Sequence, residues 1–266
     1  MDEYLQAFFL ALLQGLTEFL PISSSGHLAL APRLFGWADQ GLAFDVAAHV
    51  GTLIAVVVYF RAEVRRLIGD WLANVAGGAA TAHSKLAWAI LFATVLIGLA
   101  GVLLHDWVAG ALRHPVAVAS ATAGFGALLG LADWLGAKRR GIDQMNWKDV
   151  VVIGCAQVLA LIPGASRAGV TISAALAMGL SREAAARFSF LLAMPVIALA
   201  GLWQTRELIA HGGAARWDLM LFAVAVSGAV ALLCIHGFLI FLRRHSLLPF
   251  VLYRIALGAI VLLALV

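Results

Sequence analysis

Glu18, His27 and Arg167 lie inside apolar stretches long enough to matter to a membrane, where an ionisable group costs about 3 kcal/mol or more. Gln14 stands one turn before Glu18, a spacing that puts both on one helical face. Ser23, Ser24, Ser25 and Gly26 run directly into His27, while Gly164, Ala165 and Ser166 run into Arg167, with Thr171 one turn further on. Brought together, these residues supply a carboxylate, an imidazole, several hydroxyls and a guanidinium. That set suits phosphate chemistry. Arginine offers a planar fork for phosphate oxygens, and serine- and glycine-rich backbone offers N–H donors. Two structural roles compete with this reading. The serines could cap a helix and satisfy freed backbone groups, and Arg167 could simply pair with Glu18. On the residues alone, catalysis and anion-binding transport both fit. His49 reads as a packed polar residue and His236 as packed or lipid-edge. His83, His105, His114, His211 and His245 fall in loops or at helix ends.

The elements that must position these groups are apolar. Of 266 residues, 63% are hydrophobic and 12% charged, and mean hydropathy is +0.98. A soluble domain is nearer half apolar and a quarter charged. Disorder is excluded by the same balance. The two cysteines, Cys155 and Cys234, lie in apolar runs and read as buried thiols rather than a disulfide framework. The net charge of +4 fits cytoplasmic loops of a membrane protein rather than nucleic-acid binding. The acidic start at Asp2 and Glu3 argues against a cleavable leader.

Six runs are long enough to cross a hydrocarbon core, which takes about 20 helical residues: 42–60, 86–104, 115–135, 188–208, 218–241 and 248–265. Two further stretches, 4–34 and 149–180, are broken by Pro21 with the Ser-Gly-His segment and by Pro163 with Gly164 through Arg167. Each half is too short to span, so both stretches read as re-entrant helical hairpins lining protein or a wet cavity. Pro21 with Ser24 matches Pro163 with Ser166 at an offset of 142 residues. One hairpin followed by three spans thus occurs twice, over about 1–135 and 149–266. An odd number of crossings inverts the second copy. The expectation is an all-α polytopic membrane protein in one domain: six spanning helices and two re-entrant hairpins in an inverted repeat.

Lys and Arg concentrate in 61–85, 136–148 and 242–247, which are expected inside. The segments 105–114 and 209–217 carry little positive charge and are expected outside, with both termini. The first hairpin then enters from outside.

The segment from Gln14 through Thr17, Glu18, Pro21 and Ser23–Ser24–Ser25–Gly26–His27 resembles the first signature of the bacterial undecaprenyl-diphosphate phosphatases, the bacitracin-resistance protein family. Pro163–Gly164–Ala165–Ser166–Arg167–Ala168–Gly169–Val170–Thr171 resembles the second, and Phe188 through Pro195 a third block. The resemblance covers nearly the whole chain in order and spacing. It implies hydrolysis of undecaprenyl diphosphate to the monophosphate and inorganic phosphate, recycling the lipid carrier for peptidoglycan. It also implies a long-chain prenyl diphosphate substrate, a divalent cation (Mg²⁺ or Ca²⁺), and a multi-pass place in the bacterial inner membrane with the site facing outward. A homodimer is compatible with it. Gln14 stands where many members have Glu, and Ala168 replaces the usual Ser.

On that footing Arg167 is expected to clamp phosphoryl oxygens, with metal near Glu18 and Gln14. Ser24 is the expected nucleophile and His27 the general base or acid. Ser23, Ser25, Gly26, Gly164, Ser166 and Thr171 are expected to bind phosphate. Direct attack by water, with Ser24 only binding, is the competing scheme. A lipid or anion transporter or flippase is the competing function, because paired hairpins in an inverted repeat are transporter architecture.

Overall fold

The computed structural model describes residues 3–24, 26–28, 36–37, 40–104, 114–210 and 216–264. Regular structure among them is helical: α1 (Glu3–Thr17), α2 (Gly41–Tyr59), α3 (Arg61–Val75), α4 (Ala82–Leu103), α5 (Pro115–Leu135), α6 (Trp147–Val158), α7 (Arg167–Ala177), α8 (Arg182–Ala210), α9 (Trp217–Leu242) and α10 (Leu248–Ala264). The starts follow from local chemistry. Thr81 and Ser84 form a capping box on α4, Pro115 opens α5 at its first turn, and Asn146 with Asp149 caps α6.

Five helices, α2, α4, α5, α8 and α9, are long and apolar enough to cross a membrane. This is a multi-pass, all-helical membrane protein. The sixth run of the sequence, 248–265, forms a helix of 17 residues, shorter than the other five, and its apolar character is interrupted by Arg254. A second departure lies at 61–85. The charge there suggests only a loop, yet 61–75 folds as the amphipathic helix α3, packed on the start of α4.

Neither α6, with 12 residues, nor α7, with 11, can cross a bilayer. At 1.5 Å per residue each reaches under about 20 Å of a core near 30 Å. They are joined by a short 3₁₀ turn, Leu159–Leu161, and a bend ending at Ser166. The chain leaves and returns at the same end: the Arg140 carbonyl, just before α6, accepts from Ser181 N at 2.8 Å, just after α7. The earlier stretch is broken too. The helix α1 ends at Thr17, the chain bends through 18–23, and helix resumes at Ser24.

Both bends place a serine in the left-handed region, Ser23 at φ 73° and Ser166 at φ 67°. Each serine's carbonyl then receives the first amide of the next helix, from His27 and from Val170. In backbone conformation Ser166 therefore matches Ser23 rather than Ser24. The correspondence is shifted by one residue from that suggested by the prolines, because one bend holds Pro-Gly-Ala-Ser where the other holds Pro-Ile-Ser.

Packing partners also come in matched pairs. The helix α1 lies on α9 and α6 lies on α4; α2 meets α8, and α5 meets α10. Small residues let these backbones approach. A Cβ added to Gly51 of α2 would fall 2.5 Å from the Val224 carbonyl of α9, and one added to Gly258 of α10 would fall 2.7 Å from the Ala119 carbonyl of α5. Cys155 is exposed and Cys234 only partly buried, so the expectation of two buried thiols fails. Lipid takes the role of the apolar interior for such helix faces.

Ion pairs gather the basic segments at one end. Arg140 grips the buried Asp149 at 2.9 and 2.6 Å, Arg182 grips Asp133 at 2.6 and 3.1 Å, and Arg187 pairs with Glu63 at 2.9 Å. At the other end Arg216 pairs with Glu3 and Asp218, and Tyr4 donates to Asp218.

Candidate functional site

The two bends meet inside the bundle. Glu18, just past the end of α1, is the hub. Its Oε2 accepts from Gln14 Nε2 at 3.0 Å and from Ser24 Oγ at 2.8 Å, and its Oε1 accepts from Arg167 Nη2 at 3.1 Å. The pair Glu18–Arg167 is 7% and 11% exposed by side chain, so it is a strong local dipole in a medium of low polarity. Gln14 reaches Glu18 because four residues make one turn. Ser24 reaches it because the bend at Ser23 reverses the chain.

Arg167 is aimed by its neighbours. Its Nη1 donates to the Ser189 carbonyl of α8 at 3.2 Å. Thr171 donates to the Arg167 carbonyl at 2.8 Å, and its hydroxyl meets Ser189 Oγ at 2.7 Å. Thr171 is thus turned toward α8, its hydroxyl held between the Arg167 carbonyl and Ser189 Oγ. Ser166 Oγ accepts from Gly169 N at 3.2 Å, a helix cap. Gly164, at φ 92°, sits where a Cβ would lie 2.4 Å from the Val118 carbonyl. Only glycine lets this bend close on α5. Ser23 is buried beside Gly26. Ser25 lies outside the described residues.

His27 is not directed at Ser24. Its Nδ1 lies 2.7 Å from the Ser23 carbonyl, and its Nε2 lies 2.5 Å from the Tyr253 hydroxyl. A carbonyl only accepts, so Nδ1 carries a proton, and in the neutral ring Nε2 accepts from Tyr253. The two rings lie nearly parallel, 8° apart. Among the described residues the Ser24 hydroxyl meets Glu18, not His27. His49, read from sequence as a packing residue, brings Nε2 to 3.9 Å from Glu18 Oε2 and stands at the rim.

Arg254 is the residue that sequence reasoning missed. Fully buried, it donates to the carbonyls of Pro21, Gly164, Ala165 and Thr122 at 2.9–3.2 Å. One side chain on α10 ties both bends together. The signal was present: an arginine inside an apolar run carries the same cost that drew attention to Glu18 and Arg167.

Gln14 Oε1 is buried and has no hydrogen-bond partner among the described residues, beside the Glu18 carboxylate. These are hard oxygen donors of the kind that hold Mg²⁺ or Ca²⁺. Among the described residues no group of three or more His, Cys, Asp or Glu forms a cage. Gln14 Oε1 and the Glu18 carboxylate fit two positions of a divalent-cation shell.

A family model described as bacitracin resistance protein BacA matches residues 7–260. Among curated relatives, an undecaprenyl-diphosphatase of Nitrosococcus oceani is 52% identical over 97% of both chains. One of Thioalkalivibrio sulfidiphilus is 53% identical over 97% of both, and one of Hahella chejuensis is 51% identical over 96% of both.

Proposed function

The chain belongs to the bacitracin resistance protein BacA family, and from that membership we infer that it is an undecaprenyl-diphosphatase. It hydrolyses undecaprenyl diphosphate to undecaprenyl phosphate and inorganic phosphate, and so returns the lipid carrier to cell-wall synthesis. The geometry supplies the parts of a phosphoryl transfer, whose catalysis is mainly positioning and charge stabilisation.

The observation that carries the mechanism is the Ser24–Glu18–Arg167 chain of contacts, 2.8 and 3.1 Å. Ser24 Oγ attacks the terminal phosphorus while its proton passes to Glu18 Oε2. The bond to the bridging oxygen breaks, and undecaprenyl phosphate departs. Glu18 gives that first proton up to the departing phosphate. Water then attacks the phosphoserine, and Glu18 takes the water's proton and returns it to Ser24 Oγ as the phosphorus–serine bond breaks. Inorganic phosphate leaves. Arg167, held by Ser189, turns its fork to the phosphoryl oxygens. Gln14 and Glu18 would hold a divalent cation, which supplies charge neutralisation to the diphosphate. His27, whose ring is held between the Ser23 carbonyl and the Tyr253 hydroxyl, shares the acid role toward the departing group with Glu18 in this scheme.

The two hairpins and the matched helix pairs support an inverted repeat, about 1–135 and 149–266, with six crossings once α10 is included. The basic segments at one end support an inside position for that end. The pocket then opens outward, in the inner membrane. The test is phosphate release from a long-chain prenyl diphosphate by purified protein in detergent, with and without chelator. Transport is impossible there, so release supports hydrolysis, and its absence would return the scaffold to transport. Acid-quenched protein labelled from terminally radiolabelled substrate separates the serine route from direct water attack.

A further inference from the structure

At the basic end, lined by none of the residues that meet Glu18 or Arg167, the structure holds a cavity of about 770 Å³. It lies between α3, the start of α4, the segment 142–147, the start of α6 and Arg187 of α8. Its floor is apolar, with Leu86, Ala89, Met145 and Val150. Its wall is cationic. Arg187 is neutralised by Glu63, and His83 faces Asp70 at 3.3 Å. Arg66 and Lys85 are exposed, line the cavity, and make no ion pair among the described residues. Asp143 is the lining carboxylate that likewise lacks one among those residues, so the uncompensated balance is positive.

Two further observations place this cavity at the edge of a bilayer. Trp147 lines it at 56% exposure, and Trp88 stands exposed on the same helix as Lys85; tryptophan favours the headgroup level. The outer face of α3 carries Ile68, Leu72 and Val75, more than half exposed, alongside exposed Arg61 and Arg65. An apolar stripe flanked by arginines is the pattern of a helix lying in the interface of an anionic leaflet. A groove with an apolar floor, two unpaired cations at its lip and such a helix as its wall matches one ligand chemistry.

We propose that this cavity binds an anionic glycerophospholipid, with Arg66 and Lys85 on its phosphate and its acyl chains against Leu86 and Val150. The site is separate from the reaction centre and is filled from the leaflet at the basic end.

Native mass spectrometry of the delipidated full chain in detergent tests it, with short-chain phosphatidylglycerol, short-chain phosphatidylcholine and inorganic phosphate as separate probes. Phosphatidylglycerol should bind wild type and Arg167→Ala alike. It should bind Arg66→Ala/Lys85→Ala about tenfold or more weakly, since each basic residue near a headgroup contributes about 1 kcal/mol. The double variant should keep its phosphatase rate, which confirms folding. If it does not, Arg66→Gln alone, at an exposed position, should give an intermediate loss. Equal binding of phosphatidylcholine, unchanged binding in both variants, or loss with Arg167→Ala overturns the site. Full displacement of phosphatidylglycerol by inorganic phosphate at equal concentration overturns the lipid as occupant.

Discussion

At the residue scale, the site works because each group's position is set by another's hydrogen bond. Arg167 divides its fork between Glu18 Oε1 and the Ser189 carbonyl. Lysine keeps the charge but has no planar fork to share. Arg167→Lys should lose about 100-fold or more in kcat, a size typical of removing one preorganised donor, while inserting and folding normally. Near-normal turnover by a phosphate-release assay would remove the clamp role. Glu18→Gln should abolish activity, and excess Mg²⁺ or Ca²⁺ should not restore it, because the acceptor of the Ser24 proton is gone. It should also lower the thermal midpoint without ligand, because Arg167 then faces an uncharged partner in a buried site. An unchanged rate and cation dependence would move the base and metal elsewhere. Much of this was legible in the chain: Gln14, Glu18, Ser24 and Arg167 stand out because polar groups in apolar runs need a reason. The contact made by His27 was not. Three residues from Ser24, it looks adjacent by helical spacing, but its partner Tyr253 is 226 residues away, and no local pattern encodes that contact.

At the scale of elements, the reaction depends on two bends that are individually irregular. Each leaves carbonyls without helical partners inside the bundle, which is costly unless something donates to them. Arg254 does so for Pro21, Gly164 and Ala165 at once, from α10. Arg254→Met keeps bulk and removes every donor. It should cost about 3 kcal/mol or more, at 1–3 kcal/mol per buried group left unsatisfied, and lower kcat as the bends drift apart. Thermal unfolding in detergent without substrate measures the first effect. Ser24→Ala should leave that midpoint nearly unchanged while losing activity, whereas a midpoint for Arg254→Met as high as that of wild type would deny Arg254 its structural role. The same logic explains what the sequence withheld about the bends. Proline and glycine announce that the chain breaks, but the positive φ of Ser23 and Ser166, which sets the register of each following helix, depends on how the break packs. Helix lengths fared better, since apolar run length is a one-dimensional quantity. The helix α3 was hidden because charge in a connecting segment masks its apolar stripe.

At the scale of the whole molecule, direction in the membrane follows from where the charge lies. Helix packing fixes which groups share an end: Asp133, Arg140, Arg182 and Arg187 with the basic segments at one, Glu3, Arg216 and Asp218 at the other. The bias in Lys and Arg then selects which end stays in the cytoplasm. The substrate's diphosphate must reach Glu18 and Arg167 through the end opposite that bias if the first hairpin enters from outside. Cysteine labelling in intact cells decides this. The native Cys155 and Cys234 are first changed to Ala, since Cys155 is exposed. His114 caps α5 at the weakly charged end and is exposed, and Arg139 is exposed in the basic segment after the same helix. His114→Cys should react with a membrane-impermeant maleimide added outside, and Arg139→Cys should react only after the membrane is opened. Because the two positions bracket one helix, the pair carries its own control: labelling of both from outside would mean that α5 does not cross. The reverse pattern would turn the whole bundle over. The Glu18–Arg167 site would then face the cytoplasm, and the cavity beside Arg66 and Lys85 the outer leaflet.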